Sequence, residues 1–194
     1  MRYQADHKDK VRAQILDEAA RAIRRDGPHA VSLTSVMKSA GLTHGGFYSH
    51  FSSRDDMLAA AIARTFADTR ERWAHETRDR TPKDGLTHYI DWYLSKAHRD
   101  ERETGCVIAA IGTDVPELAR ACQDAFAAGY RGLVAGLAGH LALLRREDPD
   151  ELAQSVIAEL VGTVVLSRIE RDVRRSDAIL AGGRTGLKKR LRLS

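Results

Sequence analysis

Cys106, Cys122 and eight histidines are the side chains of this 194-residue sequence best suited to bind metals or act as nucleophiles. The two cysteines lack the CxxC spacing of a redox pair or zinc site, and in a reducing cytosol they read as free thiols. No two histidines stand four apart, the spacing that aims two imidazoles at one metal from a helix face. GxSxG, HExxH and P-loop patterns are missing. Gly182-Gly183-Arg184-Thr185-Gly186 has the composition of a phosphate loop, but no strand precedes it. No catalytic residue, metal or cofactor is expected, and the chain reads as a non-enzyme.

Cys106 differs from Cys122. It follows Gly105 at the start of a predicted helix, with His98, Arg99 and Arg102 upstream. Both features favour thiolate, whereas Glu101 and Glu103 oppose it. A reactive thiol and a small buried residue both fit this pattern. Cys122, in an alanine-rich stretch, reads as buried.

The elements that must position these groups are helical. Four prolines and 6% aromatics stand among abundant Ala, Leu, Arg, Asp and Glu, a balance that favours helix over strand. The formal charge is only +4, but both ends are basic: residues 1–54 hold nine Lys or Arg against five Asp or Glu, and residues 168–192 nine against three. That distribution is compatible with a polyanionic partner. The opening residues lack an apolar run with a cleavage site, and no stretch approaches the roughly 18 apolar residues of a membrane span. A cytoplasmic protein with no membrane partner is expected.

Val11, Ile15, Ala19 and Ile23 recur every four residues, predicting an amphipathic helix over 9–25 that Gly27-Pro28 ends. Ser32 caps a short second helix to about 39, Thr43 a third to about 50, and Ser53 a long fourth helix running towards 80. Thr81-Pro82-Lys83-Asp84-Gly85 reads as a turn. Further helices are expected at 85–99, 105–113, 116–146 starting on Pro116, and 149–172 with Asp148 as N-cap and Pro149 first. A last basic helix follows Ser176, weakened by Gly182, Gly183 and Gly186.

The first three helices form a helix-turn-helix with its supporting helix. Gly41 suits the left-handed reversal between the second and third, and Leu42 plugs the angle. With Phe47 inward, 100° per residue places Gly45 and Ser49 on the far side and Tyr48 beside them. The Gly45-Gly46 pair would let backbone approach a groove or phosphate, or would simply mark a loop. Lys8, Lys10 and Arg12 read either as a basic arm or as a solvated tail.

From Val31-Ser32-Leu33-Thr34 through Ala40-Gly41-Leu42-Thr43-His44-Gly45-Gly46-Phe47-Tyr48-Ser49-His50-Phe51 to Ser53-Arg54-Asp55-Asp56, the sequence resembles the DNA-binding signature of TetR/AcrR transcription regulators. The resemblance spans residues 8–60. It implies an all-α protein with a three-helix helix-turn-helix domain at 1–54 and a larger ligand-binding and dimerisation domain at 55–194. It places Thr34, Thr43, His44, Gly45 and Tyr48 where relatives meet bases or phosphates, and His50 and Arg54 at phosphates. Phosphate contacts position such a protein and base-edge contacts specify sequence. Among these residues no Arg or Gln faces the bases, so the operator sequence is not legible.

The implied partners are double-stranded operator DNA, a second copy of the chain and a small-molecule effector of unknown identity. The apolar surplus of 149–172, with Gly162 and Thr163 for close approach, suits a dimer face. A two-fold dimer implies a palindromic site. Effector candidates are Phe66, Trp73, Tyr89, Trp92, Tyr93, Phe126 and Tyr130, aromatics that could line an apolar cavity or pack as core. Asp91-Trp92-Tyr93-Leu94-Ser95 and Gly105-Cys106-Val107-Ile108 resemble a branch of the family in which some members sense electrophiles or oxidants through cysteine. Binding DNA without any effector is the alternative reading.

Overall fold

The structure is a computed structural model that describes residues 2–193, with side chains from His7 onward; Met1 and Ser194, the outer limits of the two expected domains, lie outside it. Among the described residues there are nine α-helices, three short 3-10 turns and no strand. Helix α1 spans Arg2–Asp26, longer at its start than the apolar periodicity indicates, since residues 2–8 contain no helix breaker. It ends on Gly27 at φ 82°, whose N–H reaches the Ile23 carbonyl at 3.0 Å. Helix α2 (Leu33–Ser39) opens on Ser32, whose hydroxyl accepts from the Ser35 N–H. Gly41 at φ 69° then reverses the chain, and the Leu42 N–H bonds back to the Met37 carbonyl at 2.8 Å. Only a glycine adopts that backbone without strain.

The third element differs from expectation. His44–Ser49 is a 3-10 turn rather than an α-helix, and Thr43 makes no side-chain cap. Two adjacent glycines lower α-helix propensity enough for the tighter geometry to compete. Phe47 anchors it, fully buried and stacked on Phe51 at 5.6 Å. Helix α3 (Arg54–Thr77) starts on Ser53, which accepts from the Asp56 N–H at 3.1 Å, while the Asp56 carboxylate returns to the Ser52 N–H at 2.9 Å. The pair resembles a capping box, with the returning bond made one residue before the N-cap.

Thr81-Pro82 begins a helix rather than a turn: Thr81 caps Asp84 N–H and Pro82 sits in the first turn of α4 (Pro82–Tyr93). The reversal before it is made by Asp79 at φ 56°. The expected helix over 85–99 breaks at Leu94-Ser95, and Ser95 caps a separate short α5 (Lys96–Asp100). Helix α6 is only Val107–Ile111, with Cys106 at its N-cap position. Pro116 belongs to a 3-10 turn, and α7 runs Arg120–Leu143. Asp148 takes a left-handed backbone, φ 44°, and does not cap α8 (Pro149–Ile169) with its side chain. Helix α9 (Val173–Arg190) begins earlier than Ser176, capped by Asp172, and carries all three of its glycines in continuous helix.

Of these, Gly183 has a packing reason, because a Cβ there would stand 2.6 Å from Thr163 Cγ2 on α8. One core joins α1, α2, the 3-10 turn and the first half of α3 to Val107, Ile111 and Cys122, so it runs across the expected boundary at residue 54. The other joins α4, α7, α8 and α9. Helix α3 packs most extensively on α7, where Phe66, fully buried, meets Phe126 edge-on at 5.2 Å. A Cβ at Gly129 would fall 2.2 Å from the Phe66 ring. Gly129→Ala should therefore cost about 2–3 kcal/mol, the upper range for overpacking. Urea denaturation checks this; an unchanged midpoint would show that α3 and α7 can separate freely.

Candidate DNA-binding face and effector cavity

Thr34, Thr43, His44, Gly45 and Tyr48 are all exposed on α2 and on or beside the 3-10 turn, with Phe47 turned into the core. Tyr48 stands 67% exposed, braced only by an edge contact with Phe47 at 5.2 Å. Gln14 ties this unit to α1 by donating to the Ala40 carbonyl at 2.9 Å. The exposed residues share a rigid surface that presents hydroxyls, an imidazole and accessible backbone.

His50 is half-buried, and its Nδ1 is buried without a partner. Burial first, then the charges of Lys8, Arg12 and His7, pushes its pKa down. Lys8 and Arg12 thus cluster with His50, and Arg12 also covers the Phe51 ring at 4.8 Å. Their spacing of four on one helix was the available signal for that grouping. Arg54 does something else. Its guanidinium donates to the carbonyls of Pro28 at 2.6 Å and Val31 at 3.2 Å, which binds the α1–α2 loop to the start of α3. Nε and Nη2 are thereby turned to the protein's own backbone, while Nη1 lies 3.8 Å from the Asp55 carboxylate.

Two cavities lie between these helices and the second core. The outer, of about 450 Å³, is walled by Asp17, Arg21 and Arg24 of α1, by charged residues of α3, and by Trp92 and His98. The inner, of about 240 Å³, is walled by Trp73, Ile108 and apolar residues of α7 and α8. Thr69, Tyr89, Tyr93 and Cys106 line both. Of the expected aromatics, Tyr89, Trp92, Tyr93 and Trp73 therefore reach a cavity. Phe66, Phe126 and Tyr130 do not: they pack in the first core, because their faces of α3 and α7 point at α1 and α6.

Ion pairs knit the outer wall together. Arg24 reaches Asp68 at 3.1 Å and the Glu103 carbonyl at 2.6 Å, and Arg64 reaches Asp17 and Asp68, each at 3.1 Å. Arg72 pairs with Glu76 at 3.2 Å while covering the Trp92 ring at 5.0 Å. Burial would raise the Glu76 pKa, but hydrogen bonds from His75 and Arg72 overcome it and hold the carboxyl ionised.

The surroundings of Cys106 differ from those its sequence neighbours suggest. Helix α6 has five residues, too few for a substantial dipole, and Arg99 is committed to Asp100 and Asp177. The cation beside this segment is instead Arg168, from α8, which donates to the Arg99 and His98 carbonyls and whose Nη2 would lie 3.1 Å from a Cβ at Gly105. Nothing local in the sequence signals that approach. His98 Nδ1 lies 2.7 Å from the Tyr93 carbonyl, which can only accept, so Nδ1 carries the proton. Burial first, then the Arg168 and Arg72 charges, outweigh that bond and push the His98 pKa down to about 4.

The unfolded chain therefore takes up a proton at His98 as pH falls below its ordinary 6.5, while the folded chain does not until about 4. Stability should decline by about 2 kcal/mol between about pH 7 and pH 5 from this residue. Denaturation of wild type and His98→Gln at both pH values checks it; equal declines would remove His98 as the cause.

The profile of the bacterial regulatory proteins of the tetR family matches residues 15–61, and that of the transcriptional regulator LmrA/YxaF-like C-terminal domain matches residues 82–179. An uncharacterized HTH-type regulator of Bacillus subtilis, YfiR, is 26% identical over 99 residues, 51% of this chain and 48% of its own length. PksA, an HTH-type transcriptional regulator of the same organism, is 25% identical over 86% of this chain and 82% of its own. The crystal structure of reduced NemR from Escherichia coli superposes with a TM-score of 0.81 at 21% identity, covering 93% of this chain and 97% of that one. An exposed helix-turn-helix face joined to an all-helical domain of this kind, matched in both halves, makes the chain a DNA-binding transcription regulator that belongs to the tetR family, with an LmrA/YxaF-like C-terminal domain.

Proposed function

We propose that this regulator is a cytoplasmic repressor that binds a palindromic operator as a homodimer and leaves it when a small molecule fills the cavities. The observation that carries the reading is that α1 is common to the DNA-binding unit and the outer cavity wall, through Asp17, Arg21 and Arg24. An occupant there bears directly on the helix that supports the DNA-contacting turn. Thr34, Thr43, His44, Gly45 and Tyr48 would meet bases or phosphates, and His50 with Lys8 and Arg12 a phosphate.

Dimerisation is supported by the surface of the last helices. Leu166, Ile169 and Val173 are 58%, 68% and 66% exposed, and Leu143 is 69% exposed. Helix α8 is apolar enough, by length and composition, to cross a membrane, yet it packs on α7 and α9 and leaves its surplus apolar surface outward. A second copy would cover that surface.

A second reading, in which chemistry at Cys106 supplies the signal, is favoured by the thiol's position on both cavities beside Arg168. Cys106→Ser distinguishes the two. A noncovalent effector still releases the Cys106→Ser protein from DNA, whereas a thiol-dependent signal is lost.

Selection from a randomised duplex pool should yield one palindromic motif, and mobility shifts should show salt-sensitive binding. Tyr48→Ala should weaken binding about tenfold with unchanged helicity, the loss of one groove contact. Recovery of no enriched motif at low salt would reject operator binding. A Leu166→Glu, Ile169→Glu double variant should sediment as a monomer and lose motif binding; a dimer that persists would place the interface elsewhere.

A further inference from the structure

Tyr93 is 5% exposed and lines both cavities, and its hydroxyl is buried without a hydrogen-bond partner among the described residues. Its neighbour there is the Cys106 thiol, a weak acceptor. Burial above all raises the phenol's pKa well above its ordinary value, so the group remains a donor throughout the physiological range. Buried donors are rarely left unmatched, and one that lines a cavity is open to a partner from outside the chain.

The rest of the wall decides what that ligand is. The outer cavity's cations are already matched: Arg24 by Asp68, Arg64 by Asp17 and Asp68, Arg72 by Glu76 and Arg21 by Glu18. The inner cavity is formed by Ile108, Leu133, Leu137, Ile157 and Leu160, and a Cβ at Gly132 or Gly136 would meet nothing. Arg70, at its edge, is exposed and already solvated. At about 240 Å³ it is smaller than the roughly 300–1,000 Å³ of sites for drug-sized molecules.

We propose that the inner cavity takes a small, neutral, largely apolar molecule carrying one carbonyl-type acceptor, and that the Tyr93 hydroxyl is the group that selects it. This rests on the reading of the cavities as an effector site. The apolar body replaces contacts along α7 and α8, and the acceptor satisfies the buried Tyr93 donor that the protein itself leaves unmatched.

The test uses 1-tetralone, its hydrocarbon tetralin and the acid 1-naphthoate as probes of the full-length protein, followed by Trp73 and Trp92 fluorescence and by calorimetry. Wild type should bind tetralone about tenfold more tightly than tetralin, the worth of one buried hydrogen bond. Tyr93→Phe should bind both at the tetralin level, and without ligand its melting temperature should equal or exceed that of wild type. A retained preference in Tyr93→Phe, tighter binding of 1-naphthoate than of tetralone, binding of no probe, or a lowered melting temperature would each overturn the inference. Tyr93-dependent tetralone binding that leaves operator DNA bound would instead refute release by cavity occupancy while this selectivity stands.

Discussion

Phe66 seated against Gly129 is the contact on which the rest of the molecule depends. Helix α3 must serve the core that holds the helix-turn-helix unit and also the wall of the two cavities, and this contact fixes it on α7. A glycine opposite a fully buried phenylalanine lets the helices approach closely over a stretch where both are long and otherwise free to slide. Close-packed interiors transmit displacement instead of absorbing it. A shift of α3 therefore reaches α1 and, through it, the exposed turn from His44 to Ser49.

Charge and burial divide the labour around that helix. Its outer face carries Arg64, Asp68 and Arg72, whose pairs with α1 and Glu76 are partly exposed and individually modest in energy. Their value is positional: they fix the charged edge of the α1–α3 contact, whose buried side is hydrophobic. Behind them, Tyr93 and His98 are sealed from solvent, their polarity fixed by burial. The combination gives a compliant entrance over a rigid interior.

Much of this was legible in the residues. Glycine at 27 and 41, serine at 32 and 53, and the four-residue apolar rhythm of α1 each act through the adjacent backbone, so local sequence was enough to place them. The same local logic misread Thr81 to Gly85 and the glycines of α9. Proline and glycine are ambiguous between breaking a helix and starting or packing one, and only the neighbour resolves which: Thr77 against Gly85, Thr163 against Gly183. Tyr48 and Arg54 looked alike as candidate DNA contacts. One side chain turned out and the other turned in because unsatisfied loop carbonyls lay within reach of the guanidinium.

By itself the sequence determined the helical class and the helix-turn-helix, because those follow from periodicity, capping and turn glycines within a few residues. The cavity was decided by the tertiary structure. Its walls come from α1, α3, α4, α7 and α8, and neither the approach of Arg168 to Cys106 nor the stranded hydroxyl of Tyr93 has any signature along the chain. Whether an aromatic lines a cavity or fills a core depends on which helix lies opposite. Packing settles that question, and it sends Phe66 to the core and Tyr93 to the cavity.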